Sequence, residues 1–429
     1  MRTRALAVAL CLAAGLIAPL ARADAVNIVE VRSNEFLPRL IEIARGETVT
    51  WVARDAGHTV SADDGRFSFP VDGGSLSQGQ SASWTFSDDE TFAYRCAVHG
   101  PGMAGVVVVG AGSPPPPPPP EPPRRIVPSE AFPTIAAALA GAEPSTIVEL
   151  RAGTYHYGVT VSVPHVTIRG TGASPGEVVI DGDGARATGI RVLADGVRIE
   201  NLTAREHGVA GIVIEDAAGF AVEHVRVEAN GSDGIRIAGA RRGSVRGVTA
   251  EGSARAGIAI EGCETCDVVV DGVLARDNGV GVLVQDAGST VVRDSVLMGN
   301  GTGIVLRTQR GAHLVGNHIV DNGDAGVWID GGWFDVVESN TVIGHGFGIV
   351  VTALAGPSYA DRIVWNVVEG SVRGDVAWDG IGADVCFGTN ARGDGSEPTS
   401  EPALAQSIYS CDLPHTVGIP WPAVSAAMA

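Results

Sequence analysis

No lysine occurs among the 429 residues, and all 30 basic side chains are arginine. That excludes Schiff-base chemistry and a lysine-bearing phosphate loop. Aromatic residues are scarce, with 10 Phe, 7 Trp and 5 Tyr against 58 Gly. Such a balance suits many tight turns and argues against bulky helical packing. Positive charge is also short, since 49 acidic residues leave a formal charge of −19. Sequence-independent nucleic-acid binding needs Arg or Lys to neutralise phosphates, so the balance speaks against it. After the first twenty residues, no stretch approaches the ~18 apolar residues that a membrane span requires. What is present, 45% hydrophobic and 18% charged residues, is enough to bury a core. The length suggests two or three domains of ~100–200 residues each.

The chain opens with a pattern for export. Met1-Arg-Thr-Arg4 is a positive start, residues 5–20 form an apolar stretch, and Ala21-Arg-Ala23 fits a cleavage site before Asp24. The expected mature protein begins at residue 24, is periplasmic or secreted, and has no lipid anchor, because Leu10 precedes Cys11 where a small residue is needed. A run of seven prolines lies within residues 113–123. It would form a stiff polyproline II spacer, with no core of its own. The expected organisation is a signal over 1–23, a first domain over 24–112, a proline-rich linker over 113–125, a second domain over 126–385 and a tail or cap over 386–429.

The first domain alternates apolar and polar residues in short runs such as Thr48-Val-Thr-Trp-Val52, Phe92-Ala-Tyr94 and Gly105-Val-Val-Val-Val109. Gly, Asp and Ser separate the runs, which is the pattern of a small antiparallel β-sandwich. The second domain repeats. A Gly followed by Ile or Val recurs at Gly189, Gly211, Gly234, Gly257, Gly281, Gly303, Gly326 and Gly348, and nearly constant steps of this size mark a solenoid. Val and Ile dominate where a leucine-rich repeat would demand Leu and a helical side, so strands are expected on every side. The architecture is therefore all-β, ending in a right-handed parallel β-helix. Ile235/Ile237, Ile258/Ile260 and Ile304/Leu306 should point inward. Asn230, Ser253, Asn278, Asn300 and Asn322 sit in the turn before each Gly and should stack along the axis as structural groups. Residues 132–139 have helical spacing and would cap the open N-terminal end.

Chemistry concentrates in the first domain. Tyr94-Arg-Cys96-Ala-Val-His99-Gly-Pro-Gly-Met103 follows Gly57-His58 upstream. A thiolate, two imidazoles and a thioether form a ligand set for copper, with trigonal Cys/His/His and a weak axial Met. Residues 26–109 resemble the cupredoxins of the plastocyanin, pseudoazurin and amicyanin group. Asn34-Glu-Phe36-Leu-Pro38, Gly46-Glu-Thr-Val-Thr-Trp51, His58 and the Cys96–Met103 loop carry that resemblance. It implies one type 1 copper site held by His58, Cys96, His99 and Met103, and a redox partner protein or copper enzyme.

Cysteine counting agrees with a ligand role for Cys96. Five cysteines remain after residue 23, an odd number that leaves one to explain in an exported protein. The other four can pair in an oxidising compartment. Cys386 with Cys411 would staple the tail. Cys263 and Cys266 have the spacing of a redox motif but lie in a β-helix turn, which favours a local disulfide.

Residues 126–385 resemble the pectin-lyase-like β-helix superfamily, which includes mannuronan epimerases and polysaccharide lyases. Gly344-His345-Gly346 is similar to a polygalacturonase motif, but it falls in the turn position and lacks that motif's partners. The epimerase Asp-Pro-His-Asp is absent, and Asp181-Gly-Asp183 reads as a turn. Stacking should align Glu215, Glu261, Arg307 and Asp330 outward, with Arg236 and Trp328 in the next column. That set suits a glycan, and it equally suits an ordinary solvated face. Val213, Leu283, Val305 and Val350 form an apolar stripe beside it, to be covered by the tail, the first domain or a partner. The functional expectation is electron transfer by the copper domain, with the β-helix as a docking or glycan-binding scaffold and no complete catalytic motif upon it. Two alternatives stand beside it: a polysaccharide lyase, epimerase or hydrolase, and a copper store or delivery factor.

Overall fold

The computed structural model describes residues 27–32, 35–71, 74–110, 122–401, 403, 409–412 and 422–428. The expected export signal and the seven-proline run lie outside them. The chain divides into two compact units, up to residue 120 and from residue 121.

The first unit is a sandwich of two sheets. Strands β1 (Asn27–Arg32), β2 (Glu35–Leu37), β4 (Thr48–Ala53) and β7 (Ser81–Thr85) form one sheet in the order β2-β1-β4-β7. Strands β3 (Leu40–Ile43), β5 (Val60–Ala62), β6 (Ser68–Phe69), β8 (Thr91–Cys96) and β9 (Gly100–Val109) form the other, in the order β3-β9-β8-β5-β6. Most pairings are antiparallel, while β1–β4 and β3–β9 run parallel where the chain crosses between sheets. The alternation read from the sequence sends Val49 and Trp51 inward from β4 and Phe92, Tyr94 and Cys96 inward from β8. Trp51, Phe36 and Tyr94 pack edge to face at the centre, with ring centroids 4.8–5.2 Å apart.

The second unit is a parallel β-helix whose coils contribute to three sheets of twelve, ten and eleven strands. Consecutive coils stay in register, so like residues stack. The column Ile212, Ile235, Ile258, Val282, Ile304, Val327, Ile349 and Val376 runs through the interior, and every member is fully buried. Each such side chain stabilises the solenoid by roughly 1.5–3 kcal/mol relative to exposure. The short helix α1 (Ile135–Leu139), capped by the Thr134 hydroxyl, buries Ile135, Ala138 and Leu139 against the first coils. Strand pairing begins at Arg124 and continues beyond residue 385 through Cys386–Gly388 and Ser400–Glu401, so coil structure extends into the segment expected to be tail.

The recurring glycine now has a steric cause. A Cβ on Gly257 would stand 2.9 Å from the Gly281 carbonyl oxygen and 3.0 Å from the Asn278 amide nitrogen. That amide belongs to the stacked turn residues. Asn278 N–H donates to Asn300 Oδ1 (3.0 Å), Asn300 N–H to Asn322 Oδ1 (2.9 Å), and each Nδ2 also reaches the next Oδ1. Ser253 N–H starts this ladder on Asn278 Oδ1, and His345 ends it, accepting from Asn322 N–H at 3.0 Å; His207 N–H makes the same kind of bond to Asn230 Oδ1. A second ladder, absent from the sequence reading, runs through Ser295, Asn317, Asn340, Asn366 and Asn390.

The apolar stripe beside the outward charges is buried at Val213, Leu283, Val305 and Val350. At its distal end the helix α2 (Pro422–Met428) lays Val424, Ala427 and Met428 over Phe347, Val350 and Ala377. Cys263 pairs with Cys266 and Cys386 with Cys411.

Replacing Asn300 with Ala would strand the buried N–H of Asn278 and the carbonyl of Ala275. The expected cost is about 2–4 kcal/mol, visible as a lower β-helix melting temperature in calorimetry. An unchanged midpoint would show that the ladder is not the element holding the turns.

Candidate metal centre

Strand β8 ends on Cys96 and turns back into β9, pairing Cys96 with Gly100 and then Arg95 with Ala104. The register slips there, and residues 101–103 are taken up in the bulge. Met103 thus enters the core that holds Cys96, where both are essentially fully buried. His58 arrives from the segment entering β5, which pairs with β8. Hairpin geometry and strand pairing together bring residues 37 or more positions apart to one point.

The donor atoms of His58, Cys96 and His99 all lie within 4.8 Å of one another. Cys96 Sγ is 3.3 Å from His99 Nδ1, and the two imidazole centroids are 4.8 Å apart. His58 is 2% exposed, and its two nitrogens differ. Nε2 meets Asp55 Oδ1 at 2.7 Å, while Nδ1 is buried with no hydrogen-bond partner. A buried nitrogen without a partner is costly unless something binds it. The Asp55 carboxylate engages Nε2 and leaves Nδ1 as the free nitrogen, the arrangement by which a neighbouring carboxylate orients a histidine that holds a metal. Thr59 N–H donates to Cys96 Sγ at 3.3 Å, a contact that holds the sulfur in place. Its hydroxyl accepts from Ala97 N–H at 2.7 Å and so pins the turn. Beneath the site, burial pushes the Tyr94 phenol up to about 12, leaving it neutral. The donor set fits a soft, tightly held ion such as copper. Asp55 and Thr59 went unread in the sequence, where nothing distinguishes them from other turn residues near His58.

A second cluster, His156, Asp181 and Asp183, also lies within 4.8 Å. Both of its carboxylates carry a guanidinium already, Arg205 on Asp181 at 2.8 Å and Arg186 on Asp183 at 2.7 Å. A dication would enter against two fixed positive charges, and the group is a turn locked by ion pairs.

On the solenoid wall the predicted columns form as expected. Glu215, Glu261, Arg307 and Asp330 share one column, and Arg236 and Trp328 the next. Their charges are spent on each other: Arg191 pairs with Glu215, Arg236 and Arg255 with Glu261, and Arg307 with Asp330. Burial alone would raise Glu261, yet Arg255 and Arg236 outweigh it and hold the carboxyl below its ordinary value. His345 is a ladder member, since Nδ1 accepts from Asn322 and Nε2 lies 3.2 Å from the Ile319 carbonyl. Burial lowers its pKa and keeps it neutral.

One cleft stands apart, about 760 Å³ in volume, lined among others by Glu264, Asp286, Gln309, Arg310, Trp333 and Pro357. Trp333, Phe334 and Tyr359 stand 41–58% exposed at or beside it. Arg310 lies over both the Trp333 and Phe334 rings. Trp333 and Tyr359, one coil apart, meet edge to face at 6.1 Å. Trp333 and Tyr359 are paired coil to coil, but a longer loop ahead of Tyr359 sets them at different offsets from Gly326 and Gly348, so the sequence pattern does not align them.

Residues 25–110 match the family model for copper binding proteins of the plastocyanin/azurin family. Residues 210–361 match that for a right handed beta helix region. The chain thus joins a β-sandwich similar to the plastocyanin/azurin copper-binding proteins to a right-handed parallel β-helix. Among solved structures it is similar to amicyanin in a reduced Cu(I) form, at 31% identity, covering 21% of this chain and 86% of that one with a TM-score of 0.18. It is also similar to the copper-containing nitrite reductase of Thermus scotoductus SA-01, at 26% identity and TM-score 0.18, covering 20% of this chain and 22% of that one. The A-module of the Azotobacter vinelandii mannuronan C-5 epimerase is similar over 60% of this chain and 88% of that one, at 18% identity and TM-score 0.47. No curated protein matches the chain. Among the described residues no helix is long and apolar enough to cross a membrane.

Replacing Asp55 with Ala frees His58 Nε2 and loosens its orientation. Copper affinity should fall about 10–100-fold in competition titrations, with the sandwich still folded. Unchanged affinity would show that Asp55 does not orient the ligand.

Proposed function

We propose that this protein is an exported blue-copper electron carrier, with one type 1 site held by His58, Cys96, His99 and Met103. The observation that carries the reading is the convergence of a buried thiol and two imidazoles, one of which presents a buried, unpartnered Nδ1. Copper held there would supply one-electron chemistry by alternating between Cu(I) and Cu(II).

The protein's own part is rigidity and access. His58 is fixed by Asp55, Cys96 by the Thr59 amide and by β8, and Met103 by the packed bulge. A donor set that does not rearrange keeps the reorganisation on electron transfer small. His99 is the most solvent-accessible of the four, which makes it the natural edge for a redox partner. Cys96 joins the site covalently to β8.

The β-helix reads best as a scaffold, since its outward carboxylates at Glu215, Glu261 and Asp330 are neutralised by arginines. Paired carboxylates of that kind make poor general acids and bases at neutral pH. The aromatic cleft favours a binding role for this unit. Exposed Trp333 and Tyr359 offer ring faces one coil apart, and Glu264 and Asp286 offer hydrogen-bond acceptors, a combination suited to a sugar chain.

Visible absorption and electron paramagnetic resonance of the Cu(II)-loaded protein test the copper reading. An intense blue band with narrow hyperfine splitting is expected, and Cys96→Ser should abolish it. A colourless, weakly bound ion, or a blue Cys96→Ser variant, would overturn the ligand assignment. Stopped-flow mixing with a small redox couple should change the colour without loss of metal, whereas rapid transfer of Cu(I) to an acceptor would favour a delivery factor. Titration with neutral and uronate oligosaccharides should quench tryptophan fluorescence, and Trp333→Ala should weaken binding ~2–10-fold, in line with the stacking worth of one aromatic ring. No response from either class of sugar would remove the glycan role.

A further inference from the structure

Two aspartates replace an apolar column at one corner of the β-helix. In successive coils that inward position holds Val197, Phe220, Gly243, Val268, Thr290 and Ala312, then Asp335, Asp361 and Val385, each directly ahead of a strand of the same sheet. Both aspartates are 0% exposed. Their backbone contacts copy the asparagine ladder. Ala312 N–H donates to Asp335 Oδ1 at 2.9 Å and Asp335 N–H to Asp361 Oδ1 at 3.0 Å. The equivalent distances in the ladder are 3.0 Å, from Asn317 to Asn340 and from Asn340 to Asn366.

The second atom of each side chain differs. An asparagine offers an NH₂ there, and Asn340 Nδ2 uses it on the Leu314 carbonyl and on Asn366 Oδ1, both at 2.9 Å. An ionised aspartate has no donor to offer. Accordingly Oδ2 of Asp335 and Oδ2 of Asp361 are both buried without a partner. They face the same spot, because a Cβ on Gly332 would lie 2.2 Å from one and 3.2 Å from the other. Gln309, 2% exposed, presents its amide to Asp335, yet neither amide atom completes a hydrogen bond.

Among the described residues nothing cationic answers the pair. The groups that meet it are Gln309, the Gly311 and Ala312 N–H groups of the preceding coil, and the Ser358 hydroxyl of the following one. Arg310 of the preceding coil turns outward over Trp333 and Phe334, and Arg362, next to Asp361, is exposed. Asp330 on the adjoining strand is engaged by Arg307, and Asp379 of the next coil accepts the Ala353 and Ile381 N–H groups. Two dry carboxylates so placed cannot both stay charged.

We propose that Asp335 and Asp361 retain a proton in the folded protein, as a buried acid that stands in for the missing amide and makes these coils sensitive to alkali. Burial and the Asp361 charge drive Asp335 well above the ordinary carboxylate value, and burial takes Asp361 up to about 7. The sign follows from linkage. An unfolded aspartate titrates near ~3.9, so the folded state binds more protons over the interval above it. The pair's contribution is greatest below about pH 4 and is lost as pH rises through about 7. Gln309 connects this corner to the aromatic cleft, whose wall it also forms.

The test is the melting temperature of the β-helix in the intact protein from pH 4.5 to 8.5, for the parent and for Asp335→Asn and Asp361→Asn. The asparagines supply the donor without the titration. The parent should lose at least ~5 °C relative to either variant across that range, a shift typical of a change of this size in a large domain. Infrared spectra of the parent near neutral pH should carry a protonated-carboxyl stretch that Asp335→Asn or Asp361→Asn removes. Parallel pH profiles with no such band would overturn the proposal. Full recovery of the parent at pH 8.5 by added Ca²⁺ or Mg²⁺ would also overturn it, because a cation would then hold the pair in place of a proton. Should one variant fail to fold, the other and the infrared band still decide the matter.

Discussion

A polar group taken out of water must be met by a neighbour one strand away, and both units of this protein are arranged around that requirement. In the β-helix the neighbour is mostly an adjacent coil. Backbone amides of Asn278, Asn300, Asn317 and Asn340 end on a side-chain oxygen one coil further along. This couples turns that would otherwise be free to slip, and it fixes which residues stack on every face. The recurring glycines serve the same end, because a side chain at Gly257 would collide with both the ladder and the next carbonyl. Hydrophobic columns supply most of the stabilisation, and the ladders supply the register.

In the sandwich the same requirement is left open at His58 Nδ1, and that opening is the candidate site. Every layer around it is satisfied: His58 Nε2 by Asp55, the Ala97 amide by the Thr59 hydroxyl, and Cys96 Sγ by the Thr59 amide. His58 Nδ1 faces inward with nothing to bind. A soft ion at the thiol completes the pattern, and the hydrophobic packing of Trp51, Phe36, Tyr94 and Met103 keeps water from competing. Asp335 and Asp361 in the β-helix are another unmet requirement, of opposite sign. There the column offers acceptors only, so a proton is the economical answer.

Much of this was legible in the sequence. A period of 22–24 residues with Val and Ile at alternate positions admits few folds other than a parallel coil. Ile235, Ile258 and Ile304 therefore point inward as expected. Cys96, His99 and Met103 lie close together in the chain, so a single hairpin suffices to bring the first two to one another. The turn asparagines could be recognised because they recur three or four residues before each glycine. The ladder through Asn317, Asn340 and Asn366 recurs just as regularly, at steps of 23 and 26 residues, but no invariant glycine marks it. Asp335 and Asp361 look like turn residues, since aspartate is common in turns and burial leaves no trace in a single sequence.

Sequence by itself determined the periods, the identity of the donors and the direction of each strand side chain, because these follow from local alternation and from the chemistry of residue types. Tertiary structure alone decided which atoms meet. The Asp55 contact to His58 depends on the exact path of one loop beneath β8. The pairing of Glu261 with both Arg236 and Arg255 depends on coil register. The stacking of Asp335 on Asp361 depends on a turn that closes with 26 residues between like positions. Such contacts are set by packing accumulated over many strands, and a linear pattern carries no record of the depth at which each side chain comes to rest.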